Sequence, residues 1–370
     1  MFNWDYTSPT ETSTGYEDVM NQIDIISPDD FNLLDDAAKD EVVEKIFNVV
    51  RSKNIFPIYY FNEDGIKKEI VKCIGKDVKL NKVVDEKSNA GQYVCMLLFK
   101  NLHQVQCKGA KGNSMYDRFY DDHKLKKTIR FALTYERLRN IYSGLYRNSR
   151  LIGGNVATNF PPMKAKSIYE KYCPQNGVIF DYSCGFGGRM LGALTSKNNY
   201  KYFGVDPCTE TYENLKVLGG YIESVTGRKN SFKVLCSGSE NINYHPLTAD
   251  FAFSSPPYFN LESYSDEDTQ CYIKFGDIES WIAGYVKPTI QNIYGMLKHN
   301  RFYAVNIADF NVGNKKVQYV DRWIEASKEV GFDFVEKLEM KLQTRKGSGH
   351  KDDNGIDKPK SEGVYVFYKN

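Results

Sequence analysis

The sequence predicts an α/β fold in which a doubly wound, mostly parallel sheet follows an N-terminal, mostly helical α+β module. Short apolar segments recur through the second half of the chain, and helical segments fall between most of them. Such alternation is typical of a parallel sheet with helices on both faces. The last two strands leave no room for an intervening helix, which suggests an antiparallel edge. The predicted strands are Val178–Asp181, Tyr202–Asp206, Phe232–Cys236, Ala249–Phe253, Phe302–Ile307, Phe332–Leu338 and Val364–Tyr368.

The region before the sheet divides into an arm and a module. Residues 1–20 are rich in Ser, Thr and Glu and show no periodicity, which predicts a flexible acidic arm. Residues 21–152 are expected to form the module, because the apolar spacing in 31–53 and 124–146 is helical. A Gly-Gly pair at 153 and 154 marks the boundary, so the sheet domain is predicted to occupy residues 153–370.

Charge is unevenly distributed in this chain, although its formal net charge is only +2. Residues 1–50 carry twelve acidic and two basic side chains, whereas residues 100–150 carry twelve basic and four acidic ones. This segregation predicts either a surface that faces a polyanion or an acidic segment that lies against a basic one.

The sequence predicts no secretion signal, spanning helix or metal site. No segment approaches the ~18 consecutive apolar residues of a transmembrane helix, and the first residues do not read as a signal peptide. The eight cysteines form no CxxC motif and have no histidine at ligand spacing. We therefore expect reduced thiols and a cytoplasmic location, without a zinc site or a disulfide framework.

Glycines and acidic residues follow the first predicted strands, at the edge where parallel α/β sheets bind ligands. The segment 181–189, Asp-Tyr-Ser-Cys-Gly-Phe-Gly-Gly-Arg, allows a tight turn and the close approach of a ligand. Asp206 ends the next strand, where a carboxylate can accept hydrogen bonds from ribose hydroxyls. After the third strand, Glu240 offers a polar side chain for an adenine amino group. The absence of GxGxxG and of GKS or GKT weakens dinucleotide-binding and phosphate-cradling interpretations.

The fourth strand ends in the segment 254–259, Ser-Ser-Pro-Pro-Tyr-Phe. A side-chain oxygen beside a proline carbonyl provides two acceptors for one NH₂ group, and the adjacent ring can stack on a flipped base. These features suit methylation of a weakly nucleophilic exocyclic amine, for which orientation is the main catalytic contribution. Attack on carbon-5 of cytosine would need a cysteine nucleophile in this loop. The loop has none, since Cys208 lies at the ribose turn.

These motifs resemble those of S-adenosylmethionine-dependent DNA amino-methyltransferases of the cytosine-N4 and adenine-N6 type. Residues 181–187 resemble their motif I, 255–258 their motif IV, and 159–164 the segment before motif I. The similarity covers about 155–370. It implies a Rossmann-like class I methyltransferase sheet, S-adenosylmethionine as cofactor and DNA as partner. Serine at the start of motif IV favours cytosine N4, and adenine N6 stays open.

The strand ends and the resemblance together give the candidate site residues. Those expected to hold the target amine and its base are Ser255, Pro256, Pro257 and Tyr258. Those expected to bind the cofactor are Phe160, Asp181, Ser183, Cys184, Gly185, Gly187, Asp206, Pro207, Glu240 and Ser255. Those expected to bind the nucleic acid are Phe259, Asp309, Arg345, Lys346, Lys124, Lys127 and Arg130.

The sequence contains no segment that is readily identified as a target-recognition domain. Only 48 residues separate Asp206 from Ser254 (254 − 206), too few for an inserted recognition domain. We therefore expect that residues 1–150 or a partner specificity subunit recognise the target sequence, or that recognition is weak. Within the chain, the basic, tyrosine-rich stretch 100–150 is the natural candidate.

Several alternatives to this interpretation stay open. The same chemistry could act on RNA, as in guanine-N2 tRNA methyltransferases, or on an already modified base. A catalytically silent nucleic-acid-binding protein could also keep the fold, although it would not need the intact motifs. The leading interpretation is still a DNA amino-methyltransferase, solitary or phage-encoded, expected in the cytoplasm of a bacterial or phage-infected cell in association with the nucleoid.

Overall fold

The computed structural model describes residues 26–54, 56–58, 62–80, 82–107, 114–135, 145–146, 148–149, 156–242, 248–342 and 361–370. The chain forms two compact units. One draws on residues up to Ile66 and on Lys100–Thr158, and the other on Lys67–Phe99 and Asn159–Asn370. Residues 67–99 therefore cluster with the sheet, whereas the sequence had assigned them to the N-terminal module. The predicted arm, residues 1–20, lies outside the described residues.

The helices and strands are numbered here in chain order. The α-helices are α1 (Pro28–Leu33), α2 (Asp36–Lys53), α3 (Glu63–Gly75), α4 (Gln92–Leu98), α5 (Met115–Tyr120), α6 (Asp122–Tyr135), α7 (Pro162–Tyr172), α8 (Gly188–Leu194), α9 (Thr209–Thr226), α10 (Cys271–Lys274), α11 (Ile278–Trp281), α12 (Lys287–Met296) and α13 (Tyr319–Val330). The strands are β1 (Val83–Val84), β2 (Gln106–Cys107), β3 (Val178–Asp181), β4 (Lys201–Asp206), β5 (Phe232–Cys236), β6 (Ala249–Ser254), β7 (Glu262–Ser263), β8 (Leu297–Ile307), β9 (Phe310–Val312), β10 (Lys315–Val317), β11 (Asp333–Lys341) and β12 (Ser361–Lys369). A π-helical turn, Ile282–Val286, joins α11 to α12, and 3₁₀ turns span Lys100–Gln104 and Ser239–Asn241.

Helices dominate the described part of the first unit. The carboxylate of Asp35 accepts a hydrogen bond from the N–H of Ala38 at 2.8 Å and caps the start of α2. Asn54, in the left-handed conformation, ends this helix. The helical stretch predicted over 31–53 is divided in the structure, because α1 ends at Leu33 and α2 begins at Asp36. Helix α6 covers the first part of the stretch predicted over 124–146. Within the described residues, the structure contains no helix long and apolar enough to cross a membrane.

Eight of the described strands form one sheet, in the order β1-β11-β12-β8-β6-β3-β4-β5. Strands β8, β6, β3, β4 and β5 run parallel to one another. Successive strands β3, β4 and β5 extend the sheet in one direction, whereas β6 and β8 extend it in the other. The strand order therefore reverses between β3 and β6, which is where doubly wound sheets bind ligands. The prediction of a doubly wound, mostly parallel α/β sheet is confirmed.

The final strand lies inside the sheet, not at its edge. β12 is antiparallel to both of its neighbours and pairs Val364 with Asn306 of β8 and with Leu338 of β11. The last two strands are therefore antiparallel to each other, as expected, and they lie next to one edge of the sheet. Beyond β11 the sheet continues to the two-residue strand β1, where Val83 pairs with Glu339. A strand this short has no detectable pattern in the sequence.

Aromatic side chains fill the core between the sheet and the helices α11 to α13. Trp281, Tyr319 and Trp323 are fully buried there. The indole of Trp323 stacks on Tyr182, which follows β3, with 6.3 Å between the ring centroids. Tyr303 of β8 adds a further fully buried ring. Large rings bury much apolar area, so this cluster provides a rigid base for the loops at the carboxyl ends of the strands.

The close approach of α8 to α7 predicts how two glycine variants change stability. A methyl group at Gly192 would overlap the carbonyl oxygen of Pro162, so Gly192→Ala should lower the free energy of unfolding by about 1–3 kcal/mol. The control is Gly220→Ala in α9, where nothing lies within 4 Å of the added carbon. This alanine should stabilise the helix by about 0.5–1 kcal/mol. Urea unfolding measures both changes, and a neutral Gly192→Ala would contradict the packing described.

Candidate active site

Asp181, at the carboxyl end of β3, is fully buried and connects the elements around the predicted cofactor turn. Its Oδ2 accepts hydrogen bonds from Nε of Arg189 and from the hydroxyl of Tyr202, both at 2.8 Å. Its Oδ1 accepts from Oγ of Ser254 at 2.8 Å and from the N–H of Ser183 at 3.2 Å. Four donors saturate the two oxygens. This carboxylate, predicted as a cofactor ligand, can therefore affect a cofactor only through the turn that it holds.

The glycine turn after β3 has one open side. Gly185 and Gly187 adopt left-handed conformations, with φ of 54° and 75°. A carbon added to Gly185 would approach only Nη2 of Arg189, at 4.0 Å, whereas one added to Gly187 would overlap the ring of Phe99. The space beside Gly185 is thus free for a ligand to approach the backbone closely.

Ser183 and Cys184 stand next to each other in this turn but differ in what they can contact. The hydroxyl of Ser183 donates to the carbonyl oxygen of Tyr182 at 2.6 Å and lies 3.2 Å from the hydroxyl of Tyr285 in the π-helical turn. The thiol of Cys184 is buried 3.3 Å from the hydroxyl of Tyr202. Burial raises the pKa of Cys184 well above its ordinary value. Cys184 can therefore meet a ligand only through its backbone.

Asp206, at the carboxyl end of β4, is nearly buried yet keeps acceptor capacity. Its Oδ2 accepts from the N–H of Gly185 at 2.8 Å and its Oδ1 from the N–H of Cys208 at 3.1 Å. Burial raises the pKa of Asp206 to about 7, although these two donors act in the opposite direction. Each oxygen retains a lone pair for a further donor. The carbonyl of the adjacent Pro207 is already used, because it accepts from Oγ1 of Thr269 at 2.9 Å.

Glu240, in the 3₁₀ turn after β5, has one oxygen without a partner. The side chain is 4% exposed, and its Oε1 accepts from Nζ of Lys274 at 2.8 Å. Its Oε2 is buried and accepts no hydrogen bond from the described part of the chain. The carboxylate lies against Gly238, where any side chain would overlap it. Buried polar atoms are normally satisfied, so this oxygen is suited to a donor from a ligand.

The segment before α7 packs on the start of α8. Oδ1 of Asn159 accepts from the N–H of Gly188 at 3.3 Å. The ring of Phe160 meets the edge of Phe253, with centroids 5.4 Å apart, and the Arg189 guanidinium lies 5.5 Å from its centroid. Phe160, predicted as a cofactor contact, is thereby fixed next to the Asp181–Arg189 ion pair.

The two serines of the Ser-Ser-Pro-Pro-Tyr segment have different surroundings. Ser254 is fully buried, and its hydroxyl reaches Asp181 and also the carbonyl oxygen of Ser183 at 3.1 Å. Ser255 is half-buried, and its hydroxyl forms no hydrogen bond within the described ranges. The first serine therefore fixes the end of β6, which leaves the second available to a substrate.

The end of this loop is strained. The ring of half-buried Tyr258 lies 5.8 Å from those of Phe310 and Tyr319, and burial raises the pKa of its hydroxyl well above the ordinary value. Phe259 adopts φ of 49°, which is uncommon for a bulky residue and marks backbone strain. Its ring is buried 5.7 Å from that of Trp281. Phe259, predicted as a base contact, belongs instead to the core.

The remaining residues predicted to bind nucleic acid in the second unit are Asp309, Arg345 and Lys346, and only Asp309 lies within the described residues. Oδ1 of Asp309, predicted as a nucleic-acid contact, accepts from the N–H of Val320 at 3.1 Å and so caps the start of α13. Its Oδ2 pairs with Lys316 at 3.1 Å. Arg345 and Lys346 lie outside the described residues.

The basic residues of α6 face an acidic helix of their own unit. Arg130 pairs with Asp36 at 3.1 Å and with Asp40, both on α2. Lys124 pairs with Asp121 at 3.2 Å. Lys127 is exposed and has no ion pair with the part of the chain that the structure describes. Of the two interpretations of the charge segregation, the structure supports an acidic segment against a basic one, which leaves less free charge on α6 for a nucleic acid.

Several residues that connect distant segments of the chain were not predicted from the sequence. Ser254, Arg189 and Tyr202 bind the Asp181 carboxylate, and only the serine doublet and the arginine after the glycines gave a local signal. Glu267 accepts hydrogen bonds from the N–H of Thr209, at 3.1 Å to each oxygen, at the first turn of α9. These two residues are 58 positions apart, so nothing local in the sequence connects them.

Comparison with known proteins adds only distant likenesses. No protein-family model matches this sequence, and no curated protein is similar to it. A TehB-like SAM-dependent methyltransferase from Corynebacterium glutamicum matches with 15% identity and a TM-score of 0.34, over 62% of this chain and 97% of that one. TrmN from Thermus thermophilus matches with 11% identity and a TM-score of 0.37, over 56% of this chain and 49% of that one.

The [4+2]-cyclase SpnF also resembles this chain, with 11% identity and a TM-score of 0.39 over 56% of this chain and 82% of its own. Identities and TM-scores this low give no basis for inferring a function. Since one fold can support several reactions, function has to be inferred from the site.

The buried ion pair beneath the turn predicts a large loss of stability when one charge is removed. Arg189→Met should lower the free energy of unfolding by about 3–5 kcal/mol, because it leaves Asp181 buried without a compensating charge. Lys216→Met, which breaks an exposed pair with Glu213, should leave the free energy of unfolding nearly unchanged, because solvent screens such pairs. Adding Asp181→Asn to the Arg189 variant should recover part of the loss. Equal denaturation midpoints for the Arg189 and Lys216 variants would contradict this assignment.

Proposed function

We propose that this chain is an S-adenosylmethionine-dependent methyltransferase that acts on the exocyclic amine of a nucleic-acid base, with cytosine N4 in DNA as the favoured target. Adenine N6 is the second candidate. The main support is the pair of hydrogen bonds from Ser254 to Asp181 and to the carbonyl of Ser183. They join the start of the Ser-Pro-Pro-Tyr loop to the glycine turn, on the two strands that flank the switch point of the sheet.

Three features of the strand ends fit S-adenosylmethionine. The space beside Gly185 admits a ligand close to the backbone, and Asp206 keeps lone pairs for ribose hydroxyls. The unpartnered Oε2 of Glu240 suits an adenine amino group. When bound, the cofactor supplies a methyl group on a positively charged sulfur.

The residues of the Ser-Pro-Pro-Tyr loop would orient the target amine relative to the methyl group. The hydroxyl of Ser255 and the carbonyl oxygen of Pro256 are the two acceptors that would hold the N–H groups of the target amine. Held in this way, the nitrogen lone pair is directed at the methyl group, and such orientation is the main contribution that a weak nucleophile needs. The ring of Tyr258 offers a surface for the extruded base.

Direct transfer also agrees with the state of the nearby thiols. A cysteine acts as a nucleophile in its thiolate form. Burial raises the pKa of Cys208, and it raises the pKa of Cys271 to about 12. Neither thiol is therefore activated, and no covalent enzyme intermediate is part of the proposal.

Asp206 should make cofactor affinity depend on pH. Since its pKa is about 7, the carboxyl becomes protonated below that pH and loses acceptor strength. The Kd for S-adenosylmethionine should therefore rise about tenfold from pH 8 to pH 6. The Asp206→Asn variant should bind S-adenosylmethionine more weakly than the wild type at pH 8, and its Kd should no longer rise between pH 8 and pH 6. Calorimetry at three pH values tests this, with the exposed Asp321→Asn on α13 as a control that should match the wild type.

Ser255→Ala tests the chemical step. Removing one of two acceptors should slow single-turnover methyl transfer at saturating cofactor by about tenfold to a thousandfold, with little change in cofactor affinity. Ser224→Ala, on the exposed side of α9, is the matched control.

The target is identified by mass spectrometry of nucleosides from DNA and from RNA incubated with the enzyme and labelled cofactor. If the chain bound S-adenosylmethionine but methylated neither nucleic acid, the proposed reaction would be wrong. A wild-type rate for Ser255→Ala would exclude Ser255 as an acceptor for the target amine but would not contradict the proposed reaction.

A further inference from the structure

A short hairpin follows β8 and carries exposed lysines. Strands β9 and β10 pair antiparallel, with Lys315 opposite Val312 and Lys316 opposite Asn311. Gly313, with φ of 60°, begins the two-residue turn between them, as hairpins of this kind require. Because β8 and β6 are parallel neighbours, the hairpin emerges at the same edge of the sheet as the Ser-Pro-Pro-Tyr loop.

One side of the hairpin is anchored to that loop. The ring of Phe310 is buried 5.8 Å from Tyr258 and 5.5 Å from Tyr319. The hydroxyl of Tyr319 donates to the carbonyl oxygen of Pro257 at 3.4 Å. The two hairpin valines also pack on the aromatic core. An isolated hairpin is marginally stable in water, so these contacts hold it beside Tyr258.

The rest of the hairpin is exposed and rich in hydrogen-bond donors. Residues 310–318 contain two lysines and no acidic residue. Lys315, Lys316, Asn311 and Asn314 are all exposed. Ammonium and amide groups are the donors that proteins direct at phosphate oxygens. The neighbouring acid, Asp309, already caps α13 and pairs with Lys316.

We propose that this hairpin, Phe310–Val317, binds the sugar–phosphate backbone beside the target base, with Lys315 and Lys316 as the phosphate contacts. The inference rests on the proposed function, since a base stacked on Tyr258 would bring its own backbone to this edge of the sheet. Three strand residues span about 10 Å, so the hairpin tip stays near the ring that Phe310 contacts. Lys315 forms no ion pair with the described residues, and Lys316 pairs only with Asp309. On α6, Lys126 and Arg130 are both paired with carboxylates of α2.

The test uses the full-length chain with Lys315→Ala and Lys316→Ala combined. Fluorescence anisotropy measures binding to a labelled DNA duplex, the same DNA as a single strand, and RNA of that sequence, at several salt concentrations. Affinity should fall about tenfold. The slope of log K against log salt should shrink by about 1.4–1.8, because each lost phosphate contact contributes roughly 0.7 to 0.9.

The matched control is the pair Lys201→Ala and Lys229→Ala, exposed residues at the amino-terminal ends of β4 and β5, the opposite edge of the sheet. It should keep the wild-type affinity and slope. Replacing both hairpin lysines by arginine should restore binding. Calorimetric affinity for S-adenosylmethionine should be unchanged in every variant, which excludes a folding defect.

The outcomes separate this inference from the proposed reaction. Wild-type affinity and slope of the hairpin variant for all three nucleic acids would overturn the hairpin assignment, even in an active enzyme. A loss confined to DNA or to RNA supports it and identifies the nucleic acid bound. A chain that bound nucleic acid through the hairpin but transferred no methyl group would refute the reaction and leave the hairpin assignment intact.

Discussion

The arrangement of the site depends on one buried carboxylate. A charge without solvent is costly unless it is paired and fully hydrogen-bonded, and Asp181 satisfies both conditions by drawing donors from separate segments. Arg189 comes from α8, Tyr202 from β4 and Ser254 from the end of β6. No single segment can shift without leaving part of the charge unsatisfied. The glycine turn and the Ser-Pro-Pro-Tyr loop are therefore mechanically coupled, although 73 residues separate Asp181 from Ser254.

Adjacent residues of the motifs differ in whether their side chains are bound by the rest of the protein. The hydroxyl of Ser254 forms two internal hydrogen bonds, whereas that of the adjacent Ser255 forms none with the described residues. Gly187 is a glycine because Phe99 occupies its space, whereas the space beside Gly185 is open. A motif that is continuous in sequence is thus split in space. One half is held by internal contacts and the other half is left accessible, an arrangement in which a rigid scaffold can orient reactive groups.

The sequence revealed the fold more fully than it revealed the site. The strands β3 to β6 are strongly apolar and each is followed by polar or glycine residues, so their existence and their order along the chain were predictable. The interior position of β12 was not, because it depends on pairing with β8 and β11. The motif led to a prediction for the Ser-Pro-Pro-Tyr-Phe segment but could not show the burial of Phe259, which depends on Trp281 from a later helix. Likewise, local charge counts could not show that Arg130 would be neutralised by Asp36 and Asp40.

The π-helical turn Ile282–Val286 has a consequence for the kinds of change that this region tolerates. A π turn contains one residue more than the regular helix would need, and such turns often mark functional sites. Here the extra residue sets the angular offset between Tyr285, which meets Ser183, and Thr289, which meets Ser239. Deleting one residue would rotate the two halves by about 100° relative to each other. Evolution of this segment should therefore proceed by substitution, while its length stays fixed.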